Sequence, residues 1–415
     1  MISTWSIVLT SAVVFLVVML ILVAVLLFAR AKLSPQGKVK VTINGEKTLE
    51  VDAGNSLLST LASQKIYLPS ACGGKGSCGL CRCRVEEGGG SILPSEKGFF
   101  SYREQHDNWR LSCQVKVKND LSIRIPPEVF GVKKWECEVV SSHNVATFIR
   151  EFVVKLPEGE NLNFRAGGYI QIDVPACTVE YKDIEVEPQY RGDWERMKMF
   201  DLVMKNPEPC FRAYSMANHP AEGNRIMLNV RIATPPFDRK KGGFMKVNPG
   251  ICSSYIYSLK PGDKITISGP YGEFFVQDTE REMMFIGGGA GMAPMRSQIF
   301  DEFMTKRTHR KASFWYGGRS LKELFYIDDF EKIQKEFPNF SFHVALSEPL
   351  PEDNWKGYTG FIHQVIYDNY LKNHPEPEEI EYYLCGPKPM TEAAVKMLDS
   401  LGVPAEMIRY DNFGN

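Results

Sequence analysis

Cys72-Gly73-Gly74-Lys75-Gly76-Ser77-Cys78-Gly79-Leu80-Cys81, answered further on by Leu111-Ser112-Cys113-Gln114, is the stretch around which this 415-residue chain must be understood. Five residues separate the first two cysteines, two the next pair, and 31 the last. Thiolates are soft anionic ligands suited to iron, and four of them can hold two irons. The interleaved glycines let the backbone curl tightly and aim amide N–H groups at sulfur. Zinc sites favour two compact Cys-x2-Cys knuckles, which one loop of three thiolates plus one distant partner does not match. Structural zinc is the competing reading. Cys83 would share a face with Cys81 in an extended run, so spacing alone does not exclude it.

The spacing resembles that of plant-type and vertebrate-type [2Fe-2S] ferredoxins, with the longer first gap of the latter. The resemblance implies Cys72, Cys78, Cys81 and Cys113 as ligands and makes Cys83 a nearby non-ligand. Working outward, 38–43 and 47–51 alternate like strands around Asn44-Gly45. Residues 55–64 predict a short helix packed on Leu57, Leu58 and Leu61, and 82–86, 114–117 and 121–125 predict the rest of a small mixed sheet. This order resembles a β-grasp ferredoxin, assigned here to 34–130.

The length asks for several domains. A net charge of −1 removes bulk attraction to nucleic acid, and neither a phosphate-loop lysine motif nor a basic-aromatic stripe is present, so no nucleic-acid partner is expected. Ten cysteines without a regular framework argue against a disulfide scaffold and suit a reducing cytosol. Histidines such as His143, His219, His309, His343, His363 and His374 are too scattered for a metal motif. Before the cysteines, 7–29 is apolar apart from Thr10 and Ser11, and 23 residues make roughly 35 Å of helix, enough to cross a bilayer. A signal peptide is the competing reading, but 1–6 has no basic residue and no clear cleavage site follows. Residues 1–33 are therefore read as a single-pass anchor. Arg30 and Lys32 keep the C-terminal side cytoplasmic and the N-terminus outside, which is periplasmic for a bacterial inner membrane.

After Pro126-Pro127, strand-like segments at 137–141, 147–155, 169–174, 226–232 and 264–268 are punctuated by proline and glycine. They predict an antiparallel β-barrel over 131–276, with a charged, aromatic insertion near 175–209. From 277 to 415 the pattern alternates between strand and helix, as in a Rossmann-like α/β domain. Its first strand runs into Gly287-Gly288-Gly289-Ala290-Gly291-Met292-Ala293-Pro294, a turn bare enough for a pyrophosphate to meet the amides at a helix start. Pro294 stands where the usual dinucleotide fingerprint has a third glycine.

That departure, with Cys385-Gly386-Pro387 and a terminal Phe413, resembles the ferredoxin-NADP reductase superfamily. So does Arg212-Ala213-Tyr214-Ser215, in which the family's arginine meets phosphate, the tyrosine packs on the isoalloxazine and the serine bonds near flavin N5. In Gly250-Ile251-Cys252-Ser253-Ser254 the resemblance implies that helix-start amides and a serine take the pyrophosphate of FAD. Arg231, Thr234, Phe237 and Asp238 follow a strand and are candidates for the flavin diphosphate or adenine. Phe413 is expected to shield the flavin, and Cys385 to lie beside the nicotinamide. The catalytic candidates are Ser215, Tyr214 and Cys385. Arg319 favours a 2′-phosphate and Glu323 a ribose hydroxyl, so the residues leave NADPH and NADH open.

Hydride brings two electrons and an iron–sulfur centre takes one, so a flavin belongs between them. Anchor, [2Fe-2S] domain, FAD domain and nicotinamide domain, in that order, resemble the F subunits of bacterial sodium-translocating NADH:quinone oxidoreductases. That resemblance implies NADH as donor, electrons passed through FAD and the cluster to other membrane redox subunits, and coupling to ubiquinone reduction and sodium export. Two alternatives remain: the reductase component of a multicomponent oxygenase, which leaves 7–29 unused, and a zinc-bearing membrane scaffold.

Overall fold

The computed structural model describes residues 4–33, 37–238, 240 and 242–411. It divides into two compact units: Met1–Leu68 with Gly74–Val129, and Pro69–Gly73 with Phe130–Asn415.

In the first unit, Thr4–Leu33 is one helix. Its stretch Leu9–Leu26 has no ionisable side chain, is buried nowhere, and is long and apolar enough to cross a membrane. Beyond it lie strands β1 (Lys38–Ile43), β2 (Lys47–Asp52), β3 (Arg82–Glu87), β4 (Trp109–Leu111) and β5 (Leu121–Arg124), ordered β2-β1-β5-β3-β4. The β1–β5 pair is parallel and its neighbours antiparallel, which is the mixed sheet anticipated. Helix Leu57–Ser63 starts at Ser56, whose hydroxyl accepts from Ser59 N, and it buries Leu57, Leu58 and Leu61.

One expected strand is corrected. Residues 114–117 alternate like a strand, with Val115 and Val117 buried, yet their backbone bonds go elsewhere. Val115 O accepts from Leu57 N and Val117 O from Gly54 N, both at 2.8 Å, so this run braces the turn before the helix. The sheet takes β4 instead.

The second unit holds two six-stranded sheets and two small hairpin-like pairs. Strands β6 (Lys133–Ala146), β7 (Ile149–Lys155), β8 (Tyr169–Val174), β11 (Cys210–Ser215), β12 (Arg225–Arg231) and β15 (Lys264–Tyr271) form an antiparallel sheet in the order β11-β8-β15-β6-β7-β12. A lone bridge links Met216, just past the end of β11, to Leu228 in the middle of β12. The insertion is a folded element: β9 (Cys177–Glu180) pairs with β10 (Val203–Asn206), and helix Pro188–Arg196 lies between them. Trp194 is fully buried there and donates Nε1–H to Thr147 O at 2.7 Å. Truncating an aromatic this deep costs about 3–5 kcal/mol, so the insertion is part of the core. A short hairpin, β13 (Phe237–Asp238) with β14 (Gly243–Phe244), follows β12.

The third sheet is wholly parallel: β16 (Met283–Gly288), β17 (Ala312–Gly318), β18 (Phe340–Leu346), β19 (Tyr358–Thr359), β20 (Glu381–Cys385) and β21 (Ile408–Asp411), ordered β19-β18-β17-β16-β20-β21. Helices cover both faces, which explains the unbroken apolar run Met283-Met284-Phe285-Ile286, all fully buried. The strand order reverses between β16 and β20, and ligands of such sheets bind at the carboxyl ends of the strands at that reversal.

Candidate redox site

The cysteine loop is conformed as its glycines require. Gly74, Gly76 and Gly79 have φ of 84°, 75° and 73°, a region side chains avoid. A Cβ on Gly76 would lie 2.6 Å from Gln114 Nε2, and one on Gly79 would lie 2.5 Å from the Phe99 ring. Cys81 and Cys113 are buried and their thiols hydrogen-bond, so bond and burial together hold the Cys81 thiol far above its ordinary value. A metal would resolve that strain by taking both as thiolates. Among the described residues no three His, Cys, Asp or Glu side chains converge as for a single ion, and a two-iron cluster takes its thiolates in pairs. Cys81 with Cys113 fits one such pair. Cys78 is half-buried in the same unit, while Cys72 lies in the Pro69–Gly73 segment of the other. Cys83 is fully buried and pushed up to about 12 by desolvation, as an inert packing thiol would be.

On β11 side chains alternate, so Arg212 and Tyr214 share one face and Ser215 takes the other. Arg212 is half-buried and donates Nη1–H to Phe211 O at 2.6 Å. The Tyr214 hydroxyl shares a hydrogen bond with Cys252, and burial raises both groups, the thiol to about 12. Helix Ile251–Ser258 begins at Gly250, where a Cβ would strike that of Ala233 at 2.5 Å. Its serines are spoken for. Ser253 Oγ accepts from Ala233 N at 3.1 Å, and Ser254 Oγ donates to Gly250 O at 2.6 Å and meets Tyr181 Oη at 2.8 Å. Both hydroxyls tie the helix start to its surroundings, which leaves the first-turn amides as the anion donors. Arg231 is exposed at the end of β12.

The turn after β16 is built for close approach. Gly289 has φ of 55°, and a Cβ on Gly291 would lie 2.0 Å from Cys385 O. Gly288 and Gly386 both abut Met390, at 2.7 and 2.5 Å from where a Cβ would stand. Pro294 sits in the first turn of helix Met292–Phe300, where its missing N–H costs nothing. Arg319 Nη2 pairs with Glu348 Oε2 at 2.6 Å on the surface, and Glu323 is half-buried nearby.

Three groups from distant parts of the chain converge at the strand ends. The buried Ser215 hydroxyl donates to Asp411 Oδ2 at 2.9 Å, and the fully buried Cys385 thiol donates to Asp411 O at 3.6 Å. Burial raises the Asp411 carboxyl and the Ser215 bond opposes it. Burial likewise pushes the Cys385 thiol well up, so it stays protonated.

Residues 41–118 match the family described as 2Fe-2S iron-sulfur cluster binding domain, 197–276 the oxidoreductase FAD-binding domain, and 285–396 the oxidoreductase NAD-binding domain. The F subunit of the Na(+)-translocating NADH-quinone reductase of Neisseria meningitidis serogroup C is 56% identical over 402 residues, covering 97% of this chain and 98% of the relative. That of Pseudomonas aeruginosa is 55% identical over 400 residues, covering 96% and 97%. The chain belongs to this family of F subunits. A solved structure, the cytochrome P450 reductase GcoB of Amycolatopsis, shares the fold, with a TM-score of 0.63 at 22% identity over 90% of this chain and 98% of that one.

In this member of the F subunits Ser215 and Cys385 are linked through Asp411, the first by its side-chain carboxylate and the second by its backbone carbonyl. Asp411, which joins them, stands in the tail Tyr410-Asp411-Asn412-Phe413-Gly414, a stretch that itself belongs to the F-subunit resemblance but in which the sequence gives Asp411 no role. Its signal is there, as the one carboxylate in an otherwise uncharged terminal run. Phe413 lies outside the described residues.

Proposed function

We propose that this chain is the electron-input subunit of a sodium-translocating NADH:quinone oxidoreductase, oxidising NADH through FAD and a [2Fe-2S] cluster. The observation that carries the reading is the convergence of Ser215, Asp411 and Cys385 where the flavin strand meets the ends of β20 and β21. When bound, FAD supplies a ring that takes hydride at N5 and releases electrons singly to a two-iron centre.

The chain's own residues bind and orient. Gly287, Gly288, Gly289 and Gly291, the start of the helix bearing Pro294, and Gly386 offer bare backbone to the NADH pyrophosphate. Arg212 with the amides after Gly250, at Ser253 and its neighbours, meets the FAD diphosphate, and Arg231 extends that positive edge. Ser254 acts by fixing the helix start. Tyr214 would pack on the ring, and a role for Phe413 rests on the family resemblance alone. Ser215, whose proton goes to Asp411, would offer its hydroxyl oxygen toward N5, and Cys385 would wall the nicotinamide. Arg319 is already paired with Glu348, whose carboxylate repels a 2′-phosphate, and Glu323 is left for the ribose hydroxyl, which supports NADH. Cys72, Cys78, Cys81 and Cys113 hold the cluster.

The modules are 1–33 as anchor, 34–130, 131–276 with its insertion, and 277–415. The antiparallel sheet closes as a barrel through the Met216–Leu228 bridge. Thr4–Leu33 spans the bacterial inner membrane once with its N-terminus periplasmic, and the redox domains pass electrons to other membrane subunits that reduce ubiquinone and export sodium. The oxygenase-reductase alternative leaves this helix without a task.

Stopped-flow spectra of the full-length protein with NADH and, separately, NADPH test the reading, followed by low-temperature paramagnetic resonance. NADH should bleach the flavin and then place an unpaired electron on iron, with NADPH far slower. A flavin that bleaches while iron never becomes paramagnetic would sink it.

A further inference from the structure

Within the larger unit, one polar network joins the nicotinamide turn to the flavin strand. Arg296 lies five residues past Gly291 in helix Met292–Phe300, and its side chain is only 7% exposed. Its Nη1 donates to Ala217 O at 2.9 Å and Glu222 Oε2 at 3.0 Å, and its Nη2 donates to Glu222 Oε1 at 2.8 Å. The next residue, Ser297, donates its hydroxyl to Asn218 O at 2.7 Å. Ala217 and Asn218 are the second and third residues after Ser215. The guanidinium also lies over the Tyr326 ring, 5.4 Å from its centre. Tyr326 in turn donates to Glu151 Oε2 at 2.5 Å on β7 and accepts from Asn229 Nδ2 at 2.8 Å on β12. It does so with φ of 59°, a conformation a bulky residue keeps only where its surroundings over-determine it.

The forked guanidinium therefore bolts the helix that opens at the glycine turn to the segment that directly follows Ser215. Direct hydride transfer needs the reacting atoms about 3–3.5 Å apart, and a 1 Å misplacement costs about 100-fold. We infer that Arg296, held by Glu222 and Tyr326, is a positioning residue that sets the nicotinamide turn against Ser215. The inference rests on the flavin and nicotinamide sites proposed above. Lysine keeps the charge but cannot reproduce a two-pronged hold on Glu222 plus a bond to Ala217 O.

The test uses the full-length, FAD-loaded protein with Arg296→Lys and Tyr326→Phe. Three quantities are read: single-turnover flavin reduction by NADH and by C4-deuterated NADH, NADH affinity, and amide hydrogen exchange of 213–219 and 287–297 without nucleotide. Arg296→Lys should slow flavin reduction about 10- to 100-fold, change the deuterium isotope effect, leave NADH affinity within about twofold, and speed exchange in both segments together. Tyr326→Phe should show the same pattern more weakly, and it decides the matter alone should Arg296→Lys fail to fold. Wild-type reduction rates, isotope effects and exchange in the folded variants would overturn the inference, as would lost NADH affinity with exchange raised throughout the unit. If the wild type itself is not reduced by NADH, the proposed function falls, and the exchange experiment still judges the bolt.

Discussion

The cysteine loop and the flavin–nicotinamide crevice solve one problem, holding a redox group, by opposite means. Three of the four proposed cluster ligands stand within ten consecutive residues, and the fourth, Cys113, bonds to the third. In the crevice, Ser215 and its partner Asp411 are 196 residues apart and meet only because two sheets are already folded. A cluster needs donors of one kind around one point, which a bare loop can supply. Hydride transfer needs two flat rings aligned, which takes walls from separate layers. The first site should fail all at once, and the second by degrees.

Removing one thiolate is the sharpest way to break that contrast. Cys81→Ala should abolish the reduced-cluster paramagnetic signal and the bound iron while FAD stays near one per chain. A normal signal in that variant would end the ligand assignment and with it the comparison. In the crevice, Ser215→Ala should slow flavin reduction by NADH about 100-fold with little change in NADH affinity, the usual cost of one positioned hydroxyl. Asp411→Asn, which leaves the hydroxyl but weakens its aim, should lie between wild type and Ser215→Ala in the same stopped-flow measurement; an equal or larger loss would make Asp411 the principal group.

The smallest effect concerns stability. Burial alone would push the Glu222 carboxyl up, but hydrogen bonds from His219 and the Arg296 guanidinium outweigh it and hold the group down at about 2. A carboxyl depressed on folding stabilises fully above its unfolded value of about 4.3, and that contribution is lost as pH falls through the folded value. The margin of wild type over Glu222→Gln should therefore be constant above about pH 4.3, shrink toward pH 2 and vanish below it, as read from thermal midpoints across that range. A margin independent of pH would mean that packing, and not charge, carries the contact.

What could be read in advance follows the same division. The cysteine spacing, the Arg212–Ser215 block and the glycine turn before Pro294 were legible because each is a local demand of chemistry on adjacent residues. The role of 114–117 was not, since Val115 and Val117 have strand-like alternation and only the folded turn at 54–57 claims their carbonyls. The insertion is legible as charged and aromatic, but not how deeply its aromatics sit: Tyr181 and Trp194 are wholly buried. Its charges face water, while its aromatics fill the core beside Tyr257. Ser253 and Ser254 are legible as a motif, but not the bonds by which their hydroxyls tie the start of their own helix. Arg296 was invisible for a plainer reason: nothing in a helix sequence announces a partner 74 residues away.

Glu96 bears on the cysteine site from outside it. Fully buried, it grips Arg110 through both carboxylate oxygens, accepts from Leu93 N at 2.9 Å and Leu111 N at 2.8 Å, and so steadies the strand that leads to Cys113. Arg110 in turn donates to Gly89 O and Gly90 O. Removing either partner alone would leave the other as an uncompensated buried charge, at a cost of about 3–5 kcal/mol. Neither side chain is a candidate ligand, yet a change at Glu96 or Arg110 reaches Cys113 through the short strand between them.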